Sequence, residues 1–258
     1  MLNVIRADFY RIFIQRGIYL ALGFTLLTML VVVLLVGNGT IDIPFFLMYL
    51  GTEVNGKNAA SLLMANGTIF TLIVVPVFTV AAADIFVEKV SKNEVSWGFS
   101  RVKLYLARMI LSSILIAGIY LLYIISGMIV ATAIGGLGGS ITLGFVLDVL
   151  ASLGLQLLLL SAAAWIGILL YFIIRHEYVV TILYMSVLVF ISMVIGAVVQ
   201  TDPSLYWVMG IDIGLNIHRI GLMPLNQEAV IPAVLLAAFW LSVTGTLGIL
   251  LFRKAEIK

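Results

Sequence analysis

Residues Leu143–Ile174 read LGFVLDVLASLGLQLLLLSAAAWIGILLYFII, an apolar run of 32 residues holding a single charged side chain, Asp148. Arg175 follows it at once. An α-helix needs about 20 apolar residues to cross the hydrocarbon of a bilayer. A longer run with almost no charge reads as a membrane-spanning helix. Working outward, five further segments have the same character: residues 18–36, 61–86, 104–133, 178–200 and 229–252. The predicted fold class is an all-α polytopic membrane protein, one transmembrane domain of 258 residues with six spans.

Charge and hydropathy support each other. Of the 14 Lys and Arg residues, Arg6, Arg11 and Arg16 precede the first span, and Lys89, Lys92, Arg101, Lys103 and Arg108 lie at the second connection. Arg175 lies at the fourth, and Arg253, Lys254 and Lys258 follow the sixth span. Even-numbered connections and both termini share a face when the span count is even, so these residues share it. Only Lys57 and Arg219 fall opposite. Segments on the cytoplasmic side carry the excess of Lys and Arg, which predicts cytoplasmic termini.

A composition of 63% hydrophobic and 10% charged residues excludes a soluble domain. The net charge of +2 says little, because its distribution carries the information. The chain has no cysteine, which rules out disulfides, thiolate metal sites and cysteine nucleophiles. The first apolar segment is long and does not resemble a cleavable signal, so it is expected to remain as a span. The spans leave no room in this chain for a soluble catalytic domain.

Chemistry-bearing motifs are scarce. Gly51 to Asn58 reads GTEVNGKN, close to a phosphate-binding loop, but Asn58 stands where magnesium needs Ser or Thr, and no strand precedes it. Two glycosylation sequons, at Asn38 and Asn66, read as chance. His176 and His218 are far apart and on opposite faces, with no metal-ligand spacing. There is no nucleophile elbow and no paired-histidine zinc motif. Neither an enzyme nor a resident metal or cofactor is expected, and nothing points to nucleic acid. Asp84, Arg108 and Asp148 all lie near span ends and can reach an interface. Ion-coupled transporters place titratable or coordinating groups near the midplane, so the energy for any transport is expected to come from elsewhere.

The segments outside the spans differ in character. Residues 1–17 suggest an amphipathic interfacial helix, with Leu2, Ile5, Phe9, Ile12 and Phe13 on one arc and Asn3, Arg11 and Gln15 opposite, Asp8 at the edge. The alternative is a plain tail with anchoring arginines. Residues 87–103, VEKVSKNEVSWGFSRVK, form the most polar stretch and include Trp97 and Phe99. They read either as a solvated charged loop or as a short helix that docks a cytoplasmic partner. Gly135, Gly136, Gly138 and Gly139 predict a tight hairpin between the third and fourth spans. Residues 201–228 suggest one or two short helices at the outer interface, begun by the Asp202-Pro203 cap, and read either as a re-entrant helical hairpin or as an irregular surface loop. Neutral polar residues within spans include Asn66, Thr68, Thr71, Thr79, Gln156, Thr181 and Ser186, mostly suited to hydrogen bonds between helices. Pro76 is expected to kink the second span.

Asn93, Ser96, Gly98, Ser100-Arg101, Lys103, Tyr105-Leu106 and Arg108 form N-x-x-S-x-G-x-S-R-x-K-x-Y-L-x-R. This pattern resembles the cytoplasmic loop of type-2 ATP-binding cassette (ABC) exporter permeases, nearest to the bacterial branch of lantibiotic immunity, bacitracin resistance and amphipathic-peptide export. Members often carry Gly-Thr shortly before it, where this chain has Glu94-Val95. The resemblance extends along the chain in its order of interfacial helix, spans, polar loop and external helical segment. It implies a bacterial inner or plasma membrane location. It also implies a permease that pairs with a second copy or a paralogue and with two separate ATPase subunits carrying ATP and magnesium. Glu88, Lys92, Asn93, Glu94, Trp97, Phe99, Arg101 and Lys103 are then the ATPase-coupling residues. The second and fifth spans lie near the shared axis, with Asn66, Thr68, Thr71, Pro76, Thr181 and Ser186 along the substrate path. An uncharged lining suits amphipathic cargo. Lipid or hydrophobic drug is the alternative cargo, and a non-transporting accessory protein the alternative role.

Overall fold

A computed structural model describes residues 2–36, 53–87 and 100–254. It is helical, with no strand among the described residues. Helix α1 covers Leu2–Ile14 and α2 covers Arg16–Val31, extended by a wide turn over Val32–Val36. Then come α3 (Gly56–Ala65), a 3₁₀ turn over Asn66–Ile69, and α4 (Phe70–Val87). Helices α5 (Arg101–Gly135) and α6 (Leu143–Ile174) form the longest hairpin. Helix α7 (Glu177–Tyr184) passes through a wide turn, Met185–Phe190, into α8 (Ile191–Thr201). The chain closes with a 3₁₀ segment Pro203–Ile211, α9 (Ile213–Gly221) and α10 (Gln227–Lys254). Six helical runs are long and apolar enough to cross a membrane: Arg16–Leu34, Gly56–Val80, Val102–Gly135, Leu143–Ile174, Glu177–Val199 and Gln227–Leu251. The protein is an all-α polytopic membrane protein.

The hairpin of α5 and α6 is the frame. At 1.5 Å per residue these helices are about 52 and 48 Å long, against about 30 Å of hydrocarbon. Their register is pinned by Trp165, whose indole N–H donates to the Met109 carbonyl and the Ser113 hydroxyl, both at 3.0 Å. Tyr120 donates to Gln156 further along. The glycine connection turns as expected, with Gly136, Gly138 and Gly139 all at positive φ. The start of α3 docks on it: the Gly56 and Lys57 amides donate to the Gly136 and Leu137 carbonyls. Helix α6 packs against α10, α4 and α5 and so forms the centre of the bundle.

Lipid is as apolar as leucine, so association of these helices relies on close packing and hydrogen bonds. Two glycines show how close the packing is. A Cβ on Gly248 of α10 would lie 1.9 Å from the Tyr105 hydroxyl of α5, and one on Gly221 of α9 would lie 2.2 Å from the Met64 carbonyl carbon.

One expectation needs correction. The second span does not start at residue 61, because its helix begins at Gly56 and is interrupted at Asn66–Ile69. Pro76 lies inside α4, beyond that interruption. Of the two readings of the external segment the helical one holds: it forms a 3₁₀ stretch and α9, and α9 is buried.

Gly221→Ala is expected to lower stability by about 1–3 kcal/mol, the usual cost of overpacking. Gly23 in α2 has no neighbour within 4 Å of an added Cβ. Gly23→Ala should therefore be neutral or stabilising, by up to about 1 kcal/mol from helix propensity. Thermal unfolding of the two variants in detergent checks the contrast.

Candidate functional site

The break in the second span is the least ordinary backbone at membrane depth. Interrupting a helix leaves carbonyls of the last turn without their usual amide donors. In hydrocarbon each unsatisfied group costs several kcal/mol, so such backbone survives only where protein supplies partners. Here α6 and α9 supply them. Gln156, fully buried, donates through Nε2 to the Met64 carbonyl at 2.9 Å and to the Ile217 carbonyl at 2.8 Å. Its Oε1 accepts from the Tyr120 hydroxyl. His218 Nδ1 lies 2.7 Å from the Ala65 carbonyl, a contact that requires Nδ1 to carry the proton. Thr68 donates to the Gly214 carbonyl at 2.8 Å, and Ser152 to the Ile220 carbonyl at 2.9 Å. One glutamine thus joins α3, α5, α6 and α9.

Asp212 starts α9 and anchors it to the fifth span. Its carboxylate accepts from the Leu215 amide and from the Ser192 hydroxyl of α8, each at 2.8 Å. Asn216 donates to the Met209 and Asp212 carbonyls and fixes the preceding 3₁₀ segment. Burial pushes the Asp212 carboxyl above its ordinary value, and the donors from Leu215, Ser192 and Gly214 oppose that rise. Burial likewise pushes His218 below the ordinary histidine value, against the opposing pull of the Ala65 carbonyl. The imidazole is therefore neutral at pH 7.

The expected path residues separate into two groups. Asn66, Thr68 and Thr71 gather at the break, where Asn66 and Thr71 are buried inside the chain's own bundle and Thr68 is half-buried. Asn66 donates to Leu62, and Thr71 to Thr68, both carbonyls. Pro76 and Thr181 are half-buried, and Ser186, in the wide turn of the fifth span, is exposed. The structure does not bring Thr181 and Ser186 into the polar cluster at the break.

Of the expected coupling residues, Glu88, Lys92, Asn93, Glu94, Trp97 and Phe99 lie outside the described residues. Arg101 opens α5, and Lys103 is exposed. The end of the same motif turns inward. Tyr105 donates to the Thr244 carbonyl of α10 at 3.0 Å. Arg108 is turned into the bundle: it is 2% exposed and ion-paired with Asp8 of α1, itself 3% exposed. Arg11 approaches Asp8 at 3.5 Å.

Sequence reading found Gln156 as a helix-linking residue and missed Asp212, His218, Asn216 and Tyr120. The Asp212-Ile213-Gly214-Leu215 stretch carries an N-cap signal, but nothing local says that the helix it starts is buried. These features define a multi-pass membrane protein with a broken span sealed by the buried helix α9. No protein-family model matches the chain, and no curated protein matches it.

Replacing Gln156 with Leu removes the side-chain donor to the Met64 and Ile217 carbonyls and should cost about 2–6 kcal/mol, at about 1–3 kcal/mol per affected group. Denaturation in mixed micelles measures it. The His218 pH dependence has a definite sign. Because the folded imidazole titrates below 6.5, its contribution is complete above 6.5 and is lost as pH falls below that value. Asp212 acts in the opposite sense above 3.8, so the wild type should be compared with His218→Gln. The variant should lack the portion of stability lost just below pH 6.5.

Proposed function

We propose that this protein is the permease subunit of an ATP-driven ABC exporter, moving amphipathic peptides or peptide antibiotics out of a bacterial cell. The observation that carries the reading is the motif at the start of α5. Tyr105 and Arg108, its last specific residues, grip α10 and α1 from the base of the central hairpin. A loop that receives force from a partner needs such a grip at its exit. In this reading, two ATPase subunits close on ATP and magnesium and displace residues 87–103. The base of α5 moves with them, and α1 and α10 follow as one unit. Two permease copies, or one copy and a paralogue, then alternate access between them. The described spans carry no charged residue that demands a coupled ion, which suits energy delivered by a partner and cargo that is amphipathic. Both termini and the motif face the cytoplasm, in keeping with the basic bias.

The tagged, detergent-solubilised chain is expected to co-purify with an ATPase subunit. Trp97→Ala with Phe99→Ala should reduce that recovery at least about tenfold, because a buried aromatic anchor contributes about 2 kcal/mol or more. Recovery of the chain with no ATPase under any condition removes the exporter reading. Orientation is tested separately, since the native chain has no cysteine. Ser140→Cys and Glu228→Cys, both exposed positions, should react with an impermeant thiol reagent on intact cells, and Lys103→Cys and Arg253→Cys should not. Labelling at 103 from outside reverses the assignment.

A further inference from the structure

The polarity of α1 is the reverse of what a helix docked in water shows. Its inward arc holds Ile5, Asp8, Arg11, Ile12 and Gln15, all buried or half-buried, with the Asp8–Arg108 pair at its centre. Its outward arc carries Phe9, Tyr10, Phe13 and Ile14, exposed at 39, 74, 43 and 66%. At 100° per residue Arg6 falls between Phe13 and Tyr10, in the middle of that aromatic arc. Arg6 is exposed, and no acidic side chain pairs with it among the described residues. The helix is held firmly in this pose: Arg108 grips it midway, and the Tyr19 hydroxyl donates to the Phe13 carbonyl at 2.8 Å across the corner into α2. Arg16, at that corner, is also exposed.

An aromatic arc turned away from the bundle matches the boundary between headgroups and acyl chains, where rings with one polar end are favoured. An arginine centred in such an arc needs an anionic partner at the same depth, and its planar donors match a phosphate bidentately. We infer that α1 is an anionic-phospholipid site: Phe9, Phe13 and Ile14 seat in the acyl boundary, and the Arg6 guanidinium, assisted by Arg16, holds a lipid phosphate. This does not depend on the exporter reading, because it requires no ATPase.

Two measurements on the full chain test it. A nitroxide on Ile14→Cys, in vesicles of phosphatidylcholine mixed with phosphatidylglycerol, should be more accessible to oxygen than to a water-soluble nickel complex. Native mass spectrometry of the delipidated chain should show phosphatidylglycerol binding more tightly than phosphatidylcholine. Arg6→Gln should cut that preference about fivefold, the factor one basic group contributes near an anionic surface. Arg6→Lys should retain only part of it, because an ammonium keeps the charge but not the two-pronged contact. Arg6 is exposed, so these variants should keep the wild-type melting temperature. Greater nickel accessibility at 14, an absent preference in the wild type, or an unchanged preference in Arg6→Gln overturns the inference.

Discussion

The structure depends on one constraint: a backbone that leaves its helix inside hydrocarbon must be met by protein donors. The second span leaves its helix at Asn66–Ile69, and Gln156 and His218 meet the exposed carbonyls. That requirement explains why α9 is folded into the bundle rather than lying over it. Residues 213–221 are there to deliver an imidazole and two carbonyls to the break, and Asp212 and Asn216 hold them at the right depth. The absent Cβ of Gly221 lets α9 come within contact of the Met64 carbonyl carbon. A mid-helix 3₁₀ stretch often marks a hinge. Here the carbonyls just before it, Met64 and Ala65, are tied to α6 and α9, so any bending at this point must be shared with the fifth span through Ser192 and with the central hairpin through Tyr120.

The other polar investment is at the base. Burying Asp8 and Arg108 costs desolvation that their mutual attraction only partly offsets. Such a pair is weak evidence for stability, but it is strong geometric specification, since either charge alone would be severely penalised. It fixes α1 to α5 in one register. Tyr105, one turn earlier on the same helix, fixes α10 through the notch at Gly248. Helices from the beginning, middle and end of the chain thereby converge on two adjacent turns of α5.

The fold was legible because its signals are long and redundant: each apolar run is about as long as the hydrocarbon is thick or longer, and the basic residues alternate with the spans. Capping signals were also legible where one residue decides them, as at Asp202, whose carboxylate accepts from the Ser204 amide. The site was legible only in part. Gln156 and Thr68 stand out as polar groups in apolar runs, yet their partners are carbonyls far away in sequence, and a carbonyl has no residue-type signature. His218 and Asp212 sit in a segment whose amphipathic pattern fits a membrane surface as well as a buried helix, so periodicity could not choose. In α1, the buried arc turned out to be the one holding Asp8 and Arg11. The distant Arg108 decides that, and no local pattern reveals it.

The register of the central hairpin also works as a ruler. The Trp165–Met109 and Gln156–Tyr120 pairings place Arg108 level with about residue 168. Asp148 is then about 30 Å above it along α6, the thickness of the hydrocarbon itself. The two charged side chains that flank the hairpin's uncharged stretch therefore stand one membrane core apart. A bilayer core set between these two charges leaves the turns beyond Asp148, with Ile134, Leu137, Ile141 and Leu143 exposed, in the headgroup layer. Tilting the hairpin enough to submerge them would drag Arg108 and its partner helix into the acyl region. The chain thus carries its own depth gauge, and the bilayer must conform to it.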